Sequence, residues 1–154
     1  GVRLIQVREP GMAQDELETF ARRVVALAHE HNARVLVNGD EALAKRCGAD
    51  GVHLPGEQLM RLKQRPATGM WAASCHDAAE LAQAAALQAD FVVLSPVLLT
   101  PTHPGAAGMG WEKFAALVKN YPVPVYALGG MKPELLDTAM RHGAHGVSLL
   151  SGIW

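Results

Sequence analysis

Short apolar runs alternate with segments of helical periodicity along the whole chain, and this alternation restricts the possible folds more than any other feature. After most runs, apolar residues recur every three or four positions, as they do on one face of a helix. Strands and helices that alternate in this way form right-handed βαβ crossovers and hence a parallel sheet. The predicted strands are seven and cover residues 3–7, 34–38, 51–54, 71–74, 91–95, 124–128 and 146–150.

The first long connection shows the helical pattern most clearly. Asp15 is predicted to cap a helix over residues 15–30, Asp77 is predicted to cap a later helix, and Pro133 suits a first helical turn. We expect the apolar face of the first helix to cover the sheet. Its members are Leu17, Phe20, Val24, Val25, Leu27 and Ala28.

The strand spacing favours a closed barrel over an open doubly wound sheet. Successive runs begin roughly 20 to 30 residues apart, and no GxGxxG fingerprint follows the first run. The prediction is an α/β fold, a TIM-type parallel (β/α) barrel, in a single domain over 1–154. Such a barrel has eight strands. We therefore expect the first βα unit to be missing or truncated, and the domain to be part of a longer chain.

Charge and cysteine content exclude several classes of function. The 14 lysines and arginines nearly balance the 15 aspartates and glutamates, which argues against nucleic acid or a membrane surface as a partner. The two cysteines have no CxxC spacing, and no apolar run approaches the roughly 20 residues of a membrane span. We expect a cytoplasmic protein, with a homo-oligomer left open.

A pair of glycines gives the sharpest local signal for a ligand. Gly129 and Gly130 follow the sixth run, and Leu150 and Ser151 end the seventh. The loops after the last two strands are where barrels of this class bind a phosphate, and backbone N–H groups at glycines can approach an anion closely. The sequence predicts a phosphate site at these four residues. The alternative is a tight strand-to-helix turn.

Polar side chains at other strand ends point to the same face of the barrel. Alternation along the first strand places Gln6 and Arg8 toward the interior and its carboxyl-terminal mouth. Asn38 and Ser74 hold equivalent positions at the ends of their own strands. We expect these four residues to bind substrate. Alternatively, Gln6 and Arg8 only cap the strand and pair with Glu9 or Asp40.

Three histidines are candidates for proton transfer or structural roles. His53 lies within a strand and is more typical of a hydrogen-bonded structural histidine. His76 follows the fourth run and either caps the next helix or faces the mouth. His103 belongs to the long Pro- and Gly-rich connection over 96–110, which can fold over a ligand, or it is a solvated loop residue. The predicted catalytic residues are His103 and His76.

Eight short motifs occur in order along nearly the whole chain. They are Gln6-x-Arg8-Glu9, Val37-Asn38, Ala49-Asp50-Gly51-Val52-His53-Leu54, Ser74-x-His76, Asp90-Phe91-Val92, Thr100-x-Thr102, Gly129-Gly130 and Gly146-Val147-Ser148. Taken together, they resemble the thiamine phosphate synthase and TenI family. Details such as Val52-His53-Leu54-Pro55 are closer to the TenI branch, and a similar barrel occurs fused behind a Nudix hydrolase domain.

The resemblance implies an activity and a metal. The family's synthases join hydroxymethylpyrimidine pyrophosphate to thiazole phosphate with Mg²⁺, whereas TenI relatives tautomerise the thiazole phosphate. It also adds Thr100 and Thr102 to the substrate-binding residues. Gly39 and Gln58 stand where the synthases carry magnesium-binding acids, which leaves Asp40 and Glu57 as weak metal candidates one position away.

Further departures concern cations and the proton carrier. Pro10 and His103 replace family lysines, and Pro96 replaces the TenI histidine at a strand end. The leading hypothesis is a TenI-like barrel that binds a small phosphorylated heterocycle such as thiazole phosphate, with tautomerase-type proton transfer if it is catalytic. The alternatives are a Mg²⁺-dependent thiamine phosphate synthase and a non-catalytic sensing module fused to an upstream Nudix domain.

Overall fold

The computed structural model describes residues 1–99 and 107–150, in which seven parallel strands form one sheet. Each strand pairs with the next along the chain, so the sheet order is β1 to β7. The predicted TIM-like α/β architecture with seven strands is confirmed, and β1 and β7 do not pair with each other in the described part. The strands are β1 (Leu4–Val7), β2 (Arg34–Asn38), β3 (Gly51–Leu54), β4 (Met70–Cys75), β5 (Phe91–Leu94), β6 (Val125–Ala127) and β7 (Gly146–Val147).

Helices occupy the connections between the strands. None of those in the described residues combines the length and the apolar character that crossing a bilayer requires. They are α1 (Gln14–Glu30), α2 (Glu41–Cys47), α3 (Gly56–Arg61), α4 (Ala78–Ala86), α5 (Gly110–Val118) and α6 (Leu136–Arg141), and a 3-10 turn (Pro133–Leu135) leads into α6.

Several predicted strand ends are wrong by one residue, and the end of the last strand and the N-cap of the first helix are wrong by more. The last strand ends at Val147 rather than at residue 150, because β6 ends at Ala127 and only the Ser148 N–H continues the ladder, donating to the Ala127 carbonyl at 2.8 Å. The N-cap of α1 is Ala13, and Asp15 lies inside the first turn, where its charge still complements the helix dipole. Asp77 is the N-cap of α4, as predicted.

The predicted apolar face of α1 is partly wrong. Ala21, Val25 and Ala28 form the buried stripe, whereas Phe20 and Leu27 are 38% and 59% exposed. Each exposed residue directly precedes a buried alanine and therefore points about 100° away from it around the helix. The small alanines let the helix approach the sheet, and the larger side chains lie outside the contact.

Alternation along the strands creates two apolar layers. Residues on the outer face of the sheet, such as the fully buried Trp71, pack against the helices. Residues of opposite parity form a separate inner cluster. Its members are Leu36, Ala72, Phe91 and Val93, with Leu4, Met70, Tyr126 and Leu128 packed against them. This inner face carries the predicted polar residues toward the carboxyl ends of the strands, which we call the mouth.

Candidate active site at the mouth of the sheet

The strand register places the predicted polar residues of β1, β2 and β4 on the inner face. Gln6 lies beside Leu36, and Ser74 lies beside Val93; both partners belong to the inner cluster. Asn38 is two positions beyond Leu36 and therefore shares its face. Because parallel strands end at one edge, these side chains are carried to the mouth. Gln6 is exposed, whereas Asn38 and Ser74 are half-buried.

His53 links three neighbouring strands at this level. Its ring Nε2 lies 2.8 Å from the Ser74 hydroxyl, and its backbone carbonyl lies 3.5 Å from the Asn38 side-chain nitrogen. Only 3% of His53 is exposed, and this burial lowers its pKa to about 4. The imidazole is therefore neutral near pH 7 and holds Ser74, which agrees with the hydrogen-bonded structural role expected for this histidine.

His76 is held at the start of α4 by Glu80. The Glu80 carboxylate accepts the His76 backbone N–H at 2.6 Å and lies 2.8 Å from the ring Nδ1. The Asp77 side chain in turn accepts the Glu80 N–H at 2.9 Å. The alternative that His76 caps the next helix is wrong, because Asp77 is the N-cap of α4 and His76 precedes it. Glu80 was missed among the site residues, although the Asp77-x-x-Glu80 spacing is the signature of a capping box.

The glycine pair forms a turn against the segment that follows β5. Gly129 and Gly130 have φ values of +96° and +66°, which L side chains rarely adopt. A Cβ atom would lie 2.8 Å from the Pro96 Cα at position 129 and 2.8 Å from the Leu99 carbonyl at position 130. Both glycines are thus required by the turn, as the alternative proposed. Neither amide donates to another described residue, so their phosphate role stays a prediction.

Of the remaining predicted site residues, Arg8 and Leu150 lie in the described part of the chain and four do not. Arg8 is exposed and makes no ion pair with a described carboxylate, so the alternative in which it pairs with Glu9 or Asp40 is wrong. Leu150 is 65% exposed. The other predicted site residues lie outside the described part of the chain; they are Thr100, Thr102, His103 and Ser151.

The two weak metal candidates do not lie together. The Asp40 side chain caps α2 by accepting the Leu43 N–H at 2.8 Å. Glu57 is highly exposed and pairs with Arg61 one helical turn away. No group of three or more His, Cys, Asp or Glu side chains in residues 1–99 and 107–150 is placed to hold a metal ion. Mg²⁺ prefers several oxygen ligands, usually with one or two carboxylates, so these residues do not fit it.

Comparisons with known proteins identify the family of this chain. The family model of thiamine monophosphate synthase matches residues 1–153. The chain belongs to this family. A thiamine-phosphate synthase of Thioalkalivibrio sulfidiphilus is 34% identical over 100% of this chain and 75% of its own length. A Geobacter sulfurreducens relative is 37% identical over 99% of the chain and 74% of its own length.

A solved structure shows the same fold. The thiamine phosphate pyrophosphorylase of Pyrococcus furiosus superposes with a TM-score of 0.82 at 23% sequence identity, covering 98% of this chain and 74% of that protein. At this identity the likeness establishes the fold alone. The thiamine monophosphate synthase family assignment therefore rests on the sequence matches, and the mouth is the place to look for its activity.

Proposed function

We propose that this chain acts as a thiamine-phosphate synthase, joining a pyrimidine pyrophosphate to a thiazole phosphate. The match to the thiamine monophosphate synthase family over residues 1–153 carries the proposal. In this reaction the bond between the pyrimidine methylene carbon and the pyrophosphate oxygen breaks. The thiazole nitrogen forms the new bond to that carbon, and pyrophosphate leaves. This choice replaces the TenI-like tautomerase as the leading hypothesis, because the named relatives are synthases.

The polar residues of the mouth suit the binding and orientation that this reaction needs. The neutral His53 ring forms a hydrogen bond with the Ser74 hydroxyl through Nε2, and this bond fixes the orientation of the hydroxyl. Arg8 is an exposed cation without a described acidic partner and is available to phosphate oxygens. Asn38 offers a carboxamide one strand away. These groups would orient the pyrimidine and stabilise the negative charge that develops on the leaving pyrophosphate.

The glycine turn suits the thiazole phosphate. Its backbone lies at the end of β6, beside β7, and both glycines have positive φ. Amides in such a turn can converge on one anion, as backbone nests do. In this proposal Gly129, Gly130, Leu150 and Ser151 hold the phosphate, while His76 and His103 border the ring.

A second candidate is binding of thiazole phosphate without the joining reaction, as in a tautomerase or a sensing module. The lack of a fitting magnesium site in the described residues favours it. Incubating the protein with both substrates, with Mg²⁺ and with EDTA, separates the two candidates. The synthase proposal predicts thiamine phosphate and an equal amount of pyrophosphate. Thiazole phosphate binding without product at any substrate concentration would leave only the second candidate.

The phosphate turn is tested with Gly130→Ala. We expect the affinity for thiazole phosphate to fall on the order of tenfold or more, because the methyl group displaces the turn from Leu99. Gly143→Ala is the matched control, since Gly143 also has a positive φ of +94° but lies at the other end of the sheet, before β7. Equal loss of binding in both variants, each shown to be folded by circular dichroism, would remove the turn from the site.

A further inference from the structure

Every carboxylate side chain of the sequence that could serve a cation is in the described residues. The 15 aspartates and glutamates all fall within 1–99 and 107–150. Those that follow strands at the mouth are Glu9, Asp40, Glu41, Glu57, Asp77 and Glu80. Asp40 and Asp77 accept N–H bonds at helix starts, Glu57 pairs with Arg61, and Glu80 holds His76. Glu41 lies 3.9 Å from the Lys45 ammonium, an ion pair without a hydrogen bond. Apart from Glu9, and from Glu41, whose buried Oε1 accepts no hydrogen bond from a described residue, these acids already have hydrogen-bond partners.

At the corner between the ends of β2 and β3, the side chain present is the neutral carboxamide of Gln58 and not a carboxylate. Gly39 follows β2 with a φ of +69°, and a Cβ atom there would lie 3.0 Å from the side-chain nitrogen of Gln58 and 3.4 Å from its oxygen. The Gln58 carboxamide therefore covers the space that a side chain at position 39 would enter. Asn38 adds a second carboxamide at the end of β2. We call Asn38, Gly39 and Gln58 the carboxamide corner.

We propose that the carboxamide corner binds the pyrophosphate group of the pyrimidine substrate directly, without a divalent cation held by the protein. This rests on the proposed function, which places a phosphorylated substrate in the mouth. A carboxamide has two N–H donors and can satisfy a phosphate oxygen without any metal. Gln58 is exposed and can meet a ligand, and Gly39 has no side chain to obstruct it.

Charge decides between a cation site and an anion site at this corner. A carboxylate at position 39 or 58 would repel a pyrophosphate unless a cation lay between them. The three corner residues carry no charge, and the adjacent carboxylates of Asp40 and Glu57 are already engaged by the Leu43 N–H and by Arg61, so an anion can approach the corner. Arg8 supplies an exposed positive charge at the end of the neighbouring strand β1. The corner thus fits a phosphate or pyrophosphate group better than a metal ion.

The test measures anion binding and metal binding separately. Inorganic pyrophosphate is titrated into the protein by calorimetry, once with EDTA and once with Mg²⁺, and Mn²⁺ alone is titrated with detection by electron paramagnetic resonance. For the natural sequence we expect pyrophosphate to bind in EDTA and Mn²⁺ not to bind at the corner. Gln58→Ala should weaken pyrophosphate binding roughly tenfold, the loss of one hydrogen bond to a charged group.

Restoring acids should convert the corner into a cation site. In the double variant Gly39→Asp with Gln58→Glu, we expect Mn²⁺ binding to appear and pyrophosphate binding to require a divalent cation. Aspartate tolerates positive φ better than most residues. Gly39→Asn is the matched control, because it has the same backbone demand and side-chain size without the charge.

The outcomes separate this inference from the proposed function. Stoichiometric Mn²⁺ binding by the natural sequence, or pyrophosphate binding that vanishes in EDTA, would overturn the inference. Thiazole phosphate binding with no pyrophosphate binding under any condition would also overturn it, while leaving the phosphate turn intact. Failure of both ligands to bind would overturn the proposed function itself. Gln58→Ala keeps the test decisive if the double variant does not fold.

Discussion

His53 shows how one residue joins packing to the chemistry of the mouth. It belongs to a strand whose four residues are all buried, yet it carries a polar ring. The Ser74 hydroxyl satisfies one ring nitrogen, and Phe91 packs edge-on against the ring with centroids 6.2 Å apart. Burial without an acidic partner disfavours the charged form, so the ring is held neutral and Ser74 is held in place.

This burial makes stability depend on pH in a defined direction. The pKa of His53 is about 4 in the folded protein and lies near the ordinary histidine value of 6.5 when the chain is unfolded. Between these values the unfolded chain binds the extra proton, so stability should fall as pH falls from about 6.5 to about 4. The loss approaches about 3 kcal/mol. Urea denaturation at several pH values between 4 and 7 measures it.

The contribution of His53 is isolated by substitution. His53→Gln should be less stable at pH 7 but should lose less of its stability on acidification than the natural sequence does. His31→Gln, at an exposed position, should leave the acid-side slope unchanged. If His53→Gln shows the full acid-side loss, other groups cause it.

At the scale of elements, one short turn recurs before three strands. An Ala-Asp, Ala-Asp or Ala-His pair precedes β3, β5 and β7, respectively. The second residue of each pair, Asp50, Asp90 or His145, donates its backbone N–H to a carbonyl of the strand before it, β2, β4 or β6. The two aspartates also accept N–H groups, from Val35 to Asp50 at 2.7 Å and from Trp71 to Asp90 at 2.8 Å. Burial opposes ionisation of Asp50, but the Val35 N–H and His29 outweigh it and lower its pKa.

The first of these turns leads into β3 at a position where only glycine fits. A Cβ atom on Gly51 would lie 1.7 Å from the Met70 carbonyl oxygen, which belongs to the paired strand backbone. Gly51→Ala should therefore lower the free energy of unfolding by about 3 kcal/mol or more, since the sheet backbone cannot move aside locally. Chemical denaturation measures the change.

A glycine with open surroundings provides the comparison. A Cβ atom on Gly11 would have no other atom within 4 Å, and Gly11→Ala should change stability by less than about 1 kcal/mol. Equal stability of the two alanine variants would show that β3 and β4 do not approach each other as described.

At the scale of the molecule, the sheet has a protected centre and two edges in the described residues. The strands β2 to β6 pair on both sides, whereas β1 and β7 each pair on one side. β7 has two residues, and β4 has six. The inner cluster and the helix-facing layer both include residues of β2, β4 and β5, and of these three strands β4 and β5 lie farther from the sheet edges.

Hydrogen exchange should follow this order. We expect the amides of β4 and β5 to exchange slowest, near the rate of global unfolding, and those of β1 and β7 to exchange faster. Mass spectrometry of peptides after deuterium labelling resolves the strands. Protection of β7 equal to that of β4 would mean that another segment covers its edge.

Local patterns in the sequence were sufficient for much of the fold. The strand-helix alternation predicted seven parallel strands in their order, and Asp77 was predicted as a cap because an N-cap bond is made within one turn. The glycine pair was also visible, since positive φ is a property of the residue and its neighbours. These features depend on contacts between residues close in the chain.

Other features depend on contacts between distant residues, and the sequence could not supply them. Which side chains of α1 are buried depends on how closely the helix approaches the sheet, so Phe20 and Leu27 were misplaced. The carboxamide corner depends on helix α3, which follows β3, meeting the end of β2, and this brings Gln58 onto Gly39 across 19 positions of sequence. Alternation carries a residue to the mouth, but packing between neighbouring units determines which groups meet there.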